Sequence, residues 1–170
     1  MPVNVEIKAK CSDFNALRTI LQSKNADFRG TDHQVDTYFN VPFGRLKLRE
    51  GNIENCLIYY TRENKAGPKE SRVMLLETMP HSKLKEILVS ALGVKVVVEK
   101  RREIYFHENV KFHLDTVEGL GTFVEIEAID TDGTIGPEKL LQQCQYFTEL
   151  FRIPHSDLIS GSYSDLVLSA

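Results

Sequence analysis

The sequence predicts an α+β fold, an eight-stranded antiparallel sheet or β-barrel with helices packed outside. Three observations carry this. Eight segments alternate polar and apolar residues with a period of two, the mark of strands with two unlike faces. Three segments carry helical spacing instead, too few and too unevenly placed for strand-helix-strand alternation and a parallel sheet. Several strands also place charge on the face that a one-sided sheet would give to apolar residues.

Taken along the chain, VNVEIKAK puts Glu6, Lys8 and Lys10 on one face and Val5, Ile7 and Ala9 on the other. SDFNALRTILQSKNA reads as a helix with Phe14, Leu17, Ile20 and Leu21 on one side and Ser12 as its N-cap. QVDTYFN and GRLKLRE follow as strands, the second with Arg45, Lys47 and Arg49 opposite Leu46 and Leu48. CLIYYTR groups Tyr60 with Arg62, and the Gly- and Pro-containing residues 62–72 read as a flexible connection before the strand SRVMLLET. HSKLKEILVSALG is a second helix, with Leu84, Ile87, Leu88, Ala91 and Leu92 aligned and Gly93 placed to end it. VVVEKRREIYFH aligns Lys100 with Arg102, VKFHLDTV aligns Lys111, His113 and Asp115, and GTFVEIEAI aligns Glu125 with Glu127. After a second connection over residues 128–139, GPEKLLQQCQYFTELF is a third helix with Pro137 in its first turn and a stripe from Leu140 to Phe151. All three helical stripes are expected to be core. Residues 157–170 suit a short helix closing one end of the barrel, a gate or a partner contact, and the sequence leaves these open.

The composition bounds what such a fold does. A chain of 170 residues fits one domain spanning 1–170 and can bury a core without metal or disulfide staples. Its three cysteines, Cys11, Cys56 and Cys144, are odd in number and lack CxxC pairing, which suggests a reduced compartment and neither a disulfide framework nor a thiolate zinc site. The opening MPVNVEIKAK has no secretory pattern and no segment has the apolar length of a membrane span, so a cytoplasmic location without membrane association is expected. A net charge of −3 argues against a nucleic-acid partner. Any anion site must therefore be a local concentration of cations.

Two arrangements satisfy the charge pattern: an open sheet with its charged face in water, or a closed one that turns glutamates from two strands and cations from three others into a shared lumen. Buried charges cost several kcal/mol each unless they are paired or meet a ligand. Carboxylates suit a hard divalent cation, and an excess of Arg and Lys suits phosphate oxygens. Together they describe a phosphate chain bridged by metal.

The ordered set VEIKAK, VDTYF, GRLKLRE, IYYTR, EKRREIY and HLDTVEGLGTFVEIE resembles the CYTH superfamily, the triphosphate tunnel metalloenzymes, across nearly the whole chain. It is most similar to the class IV adenylyl cyclase branch and is related to thiamine triphosphatases. The resemblance implies a closed eight-stranded tunnel that binds a small-molecule triphosphate with Mg²⁺ or Mn²⁺. It implies Glu6, Glu125 and Glu127 as metal ligands, with Asp115 a ligand or orienter. Lys8, Arg45, Lys47, Arg49, Arg62, Lys100 and Arg102 would contact the phosphates, and Lys10 would sit at the mouth. Catalysis would fall to Glu6, Lys8, Glu125 and Glu127. Asp36 and Tyr38 would orient the cations, whereas His113 reads as a satisfied polar residue. The family signature Glu-x-Glu-x-Lys appears here as NVEIK, so Asn4 stands at the first glutamate position and supplies no charge. The implied activity is hydrolysis of tripolyphosphate or of an organic triphosphate such as thiamine triphosphate or a nucleotide. Conversion of ATP to cyclic AMP and pyrophosphate is the alternative, and a non-catalytic phosphate-binding module is a third.

Overall fold

Period-two segments become eight strands in the computed structural model, which describes residues 3–170; Met1 and Pro2, the first letters of the stretch read as lacking a secretory pattern, lie outside the described residues. The order is β1 (Val3–Lys10), α1 (Phe14–Ser23), β2 (Asp27–Phe39), β3 (Arg45–Glu50), β4 (Asn55–Arg62), β5 (Lys69–Glu77), α2 (Leu84–Leu92), β6 (Val94–His107), β7 (Val110–Val117), β8 (Gly121–Ala128), α3 (Pro137–Leu150), a 3₁₀ turn (His155–Asp157) and α4 (Tyr163–Ser169). Hydrogen bonding runs β1-β5-β4-β3-β2-β6-β7-β8 and returns to β1. Every pairing is antiparallel, and β1 closes the ring by pairing with both β5 and β8. No helix among the described residues is long and apolar enough to cross a membrane.

Closure divides each strand between two environments. Outward residues Val5, Ile7 and Ala9 of β1, Phe112 and Leu114 of β7, and Val124 and Ile126 of β8 form the main core beneath α1 and α3. α1 contributes Leu17 and Leu21, and α3 contributes Leu140, Cys144 and Phe147. The Phe112 ring is fully buried, edge-on to Phe147 at 4.8 Å and tilted against Phe151 at 5.6 Å. The cap of α1 is Asp13, whose side chain accepts the Ala16 N–H at 3.1 Å, rather than Ser12. A carboxylate one residue nearer the first turn reaches that N–H and also complements the helix dipole.

The expectation that all three stripes are core fails for α2. It buries no residue, and Ile87 is 61% exposed. Its ties are polar and peripheral, from Lys85 to Glu50 (3.0 Å) and from Asn40 to the Leu92 carbonyl (3.3 Å). An amphipathic spacing shows which face of a helix can be buried, and here no second layer lies over it. Gly93 ends α2 as expected, with φ +74°.

The C-terminal segment closes one end of the barrel. β5 stops opposite Glu6, and beyond it Leu158 bridges Ala9 while the Ile159 N–H donates to the Lys8 carbonyl at 2.8 Å. A capping box between Ser162 and Asp165 then starts α4. Tyr163 enters the barrel end with Phe123, Tyr38, Val98 and Val117.

Removing the Phe112 ring opens a cavity between sheet and α3, so Phe112→Ala should cost about 3–5 kcal/mol of unfolding free energy in urea titration. Ile87→Ala on α2 should stay within about 0.5 kcal/mol, because that side chain has little packing to lose.

Candidate active site

The inward faces enclose a cavity of about 630 Å³. Seven cations line it: Lys8 from β1, Lys47 and Arg49 from β3, Arg62 from β4, Lys100 and Arg102 from β6, and Lys111 from β7. Parity in the strands puts them there, and two aspartates orient four of them. Asp36 receives both Nε and Nη2 of Arg49 at 2.9 Å and Lys100 Nζ at 2.6 Å, with Lys47 at 3.6 Å. Asp115 receives Nε and Nη2 of Arg102 at 2.8 Å each and the Tyr163 hydroxyl at 2.7 Å. Burial alone would raise the Asp36 carboxyl, but Arg49, Lys100 and Lys47 together hold it well below the usual carboxylate range. One carboxylate facing three cations leaves the neighbourhood of Asp36 net positive.

The remaining carboxylates are less committed. Glu6 and Glu127 are register partners on β1 and β8, as are Lys8 and Glu125. Glu6 accepts from Arg62 at 2.5 Å, while Glu125 has Lys8 and Arg102 at 3.6 Å and His113 Nδ1 at 3.3 Å. Burial pushes the Glu127 carboxyl up, and the negative charges of Glu6 and Glu125 add to the push. A carboxylate raised by two neighbouring carboxylates suits a cation beside it, and all-oxygen ligation suits Mg²⁺ or Mn²⁺. His113, Asp115 and Glu125 also approach one another within 4.8 Å. Asp115 is also held by Arg102 and Tyr163, and the trio Glu6, Glu125 and Glu127 implied by the sequence shares only Glu125 with this group.

Asn4 keeps its oxygen away from that trio. Its carbonyl accepts the Asp130 backbone N–H (3.4 Å), which can only donate, so its amide NH₂ faces Glu127 Oε1 at 2.9 Å. Asn4 thereby holds Glu127 in place.

Two implied contact residues lie apart from the cavity surface. Lys10 is exposed, past the point where Phe123 fills the barrel end, so it does not reach the lumen. Arg45 is turned to Asp165 of α4 at 2.8 Å and to Asn64 at 3.1 Å. Asp115 stands behind Arg102 as an orienter, and the Tyr38 ring packs in the closed end with Lys47 Nζ 5.5 Å from its centroid. His113 is only half satisfied. Burial lowers it to about 4, so the imidazole is neutral, and its buried Nε2 has no partner.

Two lumen residues, Glu54 and Tyr163, and the buried Lys69 beside the closed end went unread in the sequence. Glu54 enters from the β3–β4 turn, where Asp32 accepts the N–H groups of Asn52, Ile53 and Glu54 at 2.8–2.9 Å and Gly51 leaves room for that carboxylate. Glu54 then meets Lys111 at 2.5 Å and Arg49 at 3.5 Å. Lys69 extends β5 two residues upstream of the predicted strand, and its ammonium donates to the carbonyls of Ile159 (3.0 Å), Ser160 and Lys65 (3.3 Å each), tying the C-terminal segment to the wall. Tyr163 completes the set, its ring 3.7 Å from Lys8 Nζ. The upstream Gly-Pro pair disguised Lys69, and no local signal marks the other two contacts.

A closed sheet that turns buried cations and carboxylates onto one inner surface defines a charged tunnel. The chain belongs to the CYTH family, whose domain model matches residues 3–163. A Methanocaldococcus jannaschii protein provisionally named an adenylate cyclase is 28% identical, covering 96% of this chain and 98% of its own. Adenylate cyclase CyaB of Aeromonas hydrophila is also 28% identical, over 95% of this chain and 87% of its own. Among solved structures, a conserved hypothetical protein of Pyrococcus furiosus is similar with a TM-score of 0.80 at 25% identity, covering 96% of this chain and 99% of that one.

Burial pulls Lys100 down to about 7, against the opposing pull of Asp36. A polyanion binding beside it restores the charged form, so binding takes up protons above pH 7 and affinity falls as pH rises from 7 to 9. Calorimetric titration of tripolyphosphate at pH 8 in buffers of different ionisation enthalpy should show this uptake, and Lys100→Met should diminish it.

Proposed function

We propose that this tunnel binds a triphosphate together with Mg²⁺ or Mn²⁺ and hydrolyses it. The observation that carries the reading is Arg62: its side chain is 5% exposed, Nη1 holds Glu6, and Nε and Nη2 are buried without a partner. Buried guanidinium N–H groups left unpaired are costly, and phosphate oxygens match their geometry. Arg62 also lines the cavity occupied by the six other cations, so one phosphate chain can satisfy several donors together.

The residues divide the work. Arg49 and Arg102 are locked in direction by Asp36 and Asp115, so their charge is already aimed when substrate arrives and little reorganisation remains. Lys8, Lys47 and Lys100 supply neutralising charge along the chain, and Glu6, Glu125 and Glu127 would hold the metal. When bound, the metal supplies Lewis-acid polarisation of phosphate oxygens and a template for alignment. In the reaction a water oxygen bonds to the terminal phosphorus, the bridging P–O bond breaks, and its electron pair leaves on the diphosphate. One proton passes to solvent.

A second reading, cyclisation of ATP to cyclic AMP and pyrophosphate, is favoured by the two relatives that carry the adenylate cyclase name. The same cations would serve it, with the ribose 3'-hydroxyl attacking the α-phosphorus instead of water attacking the terminal one.

With Mg²⁺ or Mn²⁺, the protein should release orthophosphate and diphosphate from tripolyphosphate, or orthophosphate and nucleoside diphosphate from ATP, as read by ³¹P NMR. Glu127→Gln and Arg49→Ala should each lower turnover by about 100-fold or more. Cyclic AMP with pyrophosphate would establish the cyclase instead. Tight binding without any product would establish the non-catalytic module.

A further inference from the structure

Buried aspartates in this fold have their charge met. Asp36 and Asp115 are held by arginine and lysine or tyrosine, and Asp32 accepts from three backbone N–H groups and the Gln34 amide. Asp130 is the exception. It is 4% exposed, no Lys or Arg is paired with it among the described residues, and its Oδ1 is buried without a hydrogen-bond partner. Ile129 and Thr131 on either side line the lumen, whereas Asp130 does not. A buried carboxylate with a bare oxygen is costly unless a cation or a donor meets it.

The carboxylate faces its own loop. Its Oδ2 accepts the Gly136 N–H at 3.0 Å, and positive φ at Gly133 (+76°) and Gly136 (+86°) turns the chain back toward it, so Oδ1 of the same group is left inside the loop. Asp132 lies within reach of the Asp130 side chain. Its Oδ1 accepts the Thr134 N–H at 3.1 Å and the Thr134 hydroxyl at 2.7 Å, which leaves Oδ2 for another partner. Residues 131–134 are exposed, so water reaches the loop from outside. Two carboxylates side by side repel each other, and a cation beside both removes the repulsion. Asp130, Asp132 and Thr134 have the spacing of the first, third and fifth ligand positions of an EF-hand loop, with the Gly136 carbonyl at the seventh. Ile135 and Leu141 stand where such a loop has its invariant glycine and its bidentate glutamate, so the likeness is confined to the ligand spacing.

We infer that loop 130–136, between β8 and α3, is a binding site for one Ca²⁺ ion, held by Asp130 Oδ1, Asp132 and oxygens of Thr134 and Gly136, with water completing the shell. Ca²⁺ takes about six to eight oxygens in flexible geometry, which a loop open to water on one side can supply, whereas Mg²⁺ demands a near-ideal octahedron. Two charged ligands and no bidentate glutamate give weak binding, with a Kd of about 10⁻⁴–10⁻³ M. The site lies outside the tunnel and stands apart from the triphosphate reading. It nevertheless borders the lumen, because the Asp130 N–H donates to Asn4 Oδ1 and the Asn4 amide holds Glu127. An ion here steadies that support from behind.

The test follows backbone amides by ¹H–¹⁵N NMR while Ca²⁺ is added to the full chain as wild type, as Asp132→Asn and as Glu127→Gln. In the wild type the amides of Asp132, Gly133 and Thr134 should shift and saturate together, with a Kd of about 10⁻⁴–10⁻³ M. Asp132→Asn should raise that Kd by about tenfold or more, since it removes one of two charged ligands. Asp132 is exposed, so this variant keeps the fold and the test does not depend on replacing the buried Asp130. Glu127→Gln, which removes charge from the lumen, should leave the loop titration in place. Loop amides that stay still at Ca²⁺ well above that range, or that titrate as tightly in Asp132→Asn as in the wild type, overturn the site. A loop response lost in Glu127→Gln also overturns it, by placing the ion in the lumen.

Discussion

Compensation of buried charge is the constraint on which this structure depends. Closing a sheet sends every second side chain of eight strands into one lumen, and in this sequence many of those positions are ionised. Such groups are tolerated only when geometry and hydrogen bonding offset their loss of water. Asp36 and Asp115 provide that offset from behind: each lies at the barrel wall, and each grips an arginine on a neighbouring strand through two parallel bonds. The strand register makes these grips possible, because Asp36 faces Arg49 and Asp115 faces Arg102 directly across the ladder. Folding and preorganisation of the site are then one event.

The outer surface explains which part of the lumen is held most firmly. β1, β7 and β8 carry the carboxylate trio and its neighbours inside, and the same strands carry the largest apolar cluster outside, under α1 and α3. The carboxylates proposed to hold an ion thus sit on the best-supported wall. β5 differs. Outward Met74 and Leu76 are 54% and 61% exposed, so this strand has little behind it.

Much of this was legible because strand parity is rigid. VEIKAK and FVEIEAI each separate charge from apolar residues at alternate positions, and closure turns those charged faces toward each other without any further choice of conformation. The ordered motifs then supplied what parity could not, namely that the sheet closes. What escaped was information that no local window contains. Glu54 is a turn residue whose partner Lys111 is 57 positions away. Lys69 follows a Gly-Pro pair that masks the start of β5. Arg45 shares its face with Lys47 and Arg49, yet the C-terminal Asp165 draws it aside. For α2 the pattern was read correctly and its burial was not, since burial depends on a second surface that the helix itself does not encode.

The C-terminal segment gives the tunnel a direction. Ile159 pairs with the β1 backbone where β5 has ended, Lys69 anchors the carbonyls that follow, and Tyr163 fills the end with its hydroxyl on Asp115. With that end filled, a ligand enters past Leu75 and Glu77, and the order it meets is set by the strands. Along β1 that order is Asn4, Glu6 and Lys8; along β8 it is Glu127 and then Glu125; along β6 it is Phe106, then Arg102, then Lys100. On these three strands carboxylates come first, arginine lies at mid-depth and lysine comes last, while Lys111 of β7 stands level with Glu127 near the mouth. On the proposed reading, a phosphate chain entering from the mouth would pass the carboxylates before it reached Lys8 and Lys100. Such axial polarity follows from sequence order within each strand once one end is closed, and without the last dozen residues the barrel would have two mouths and no deep end.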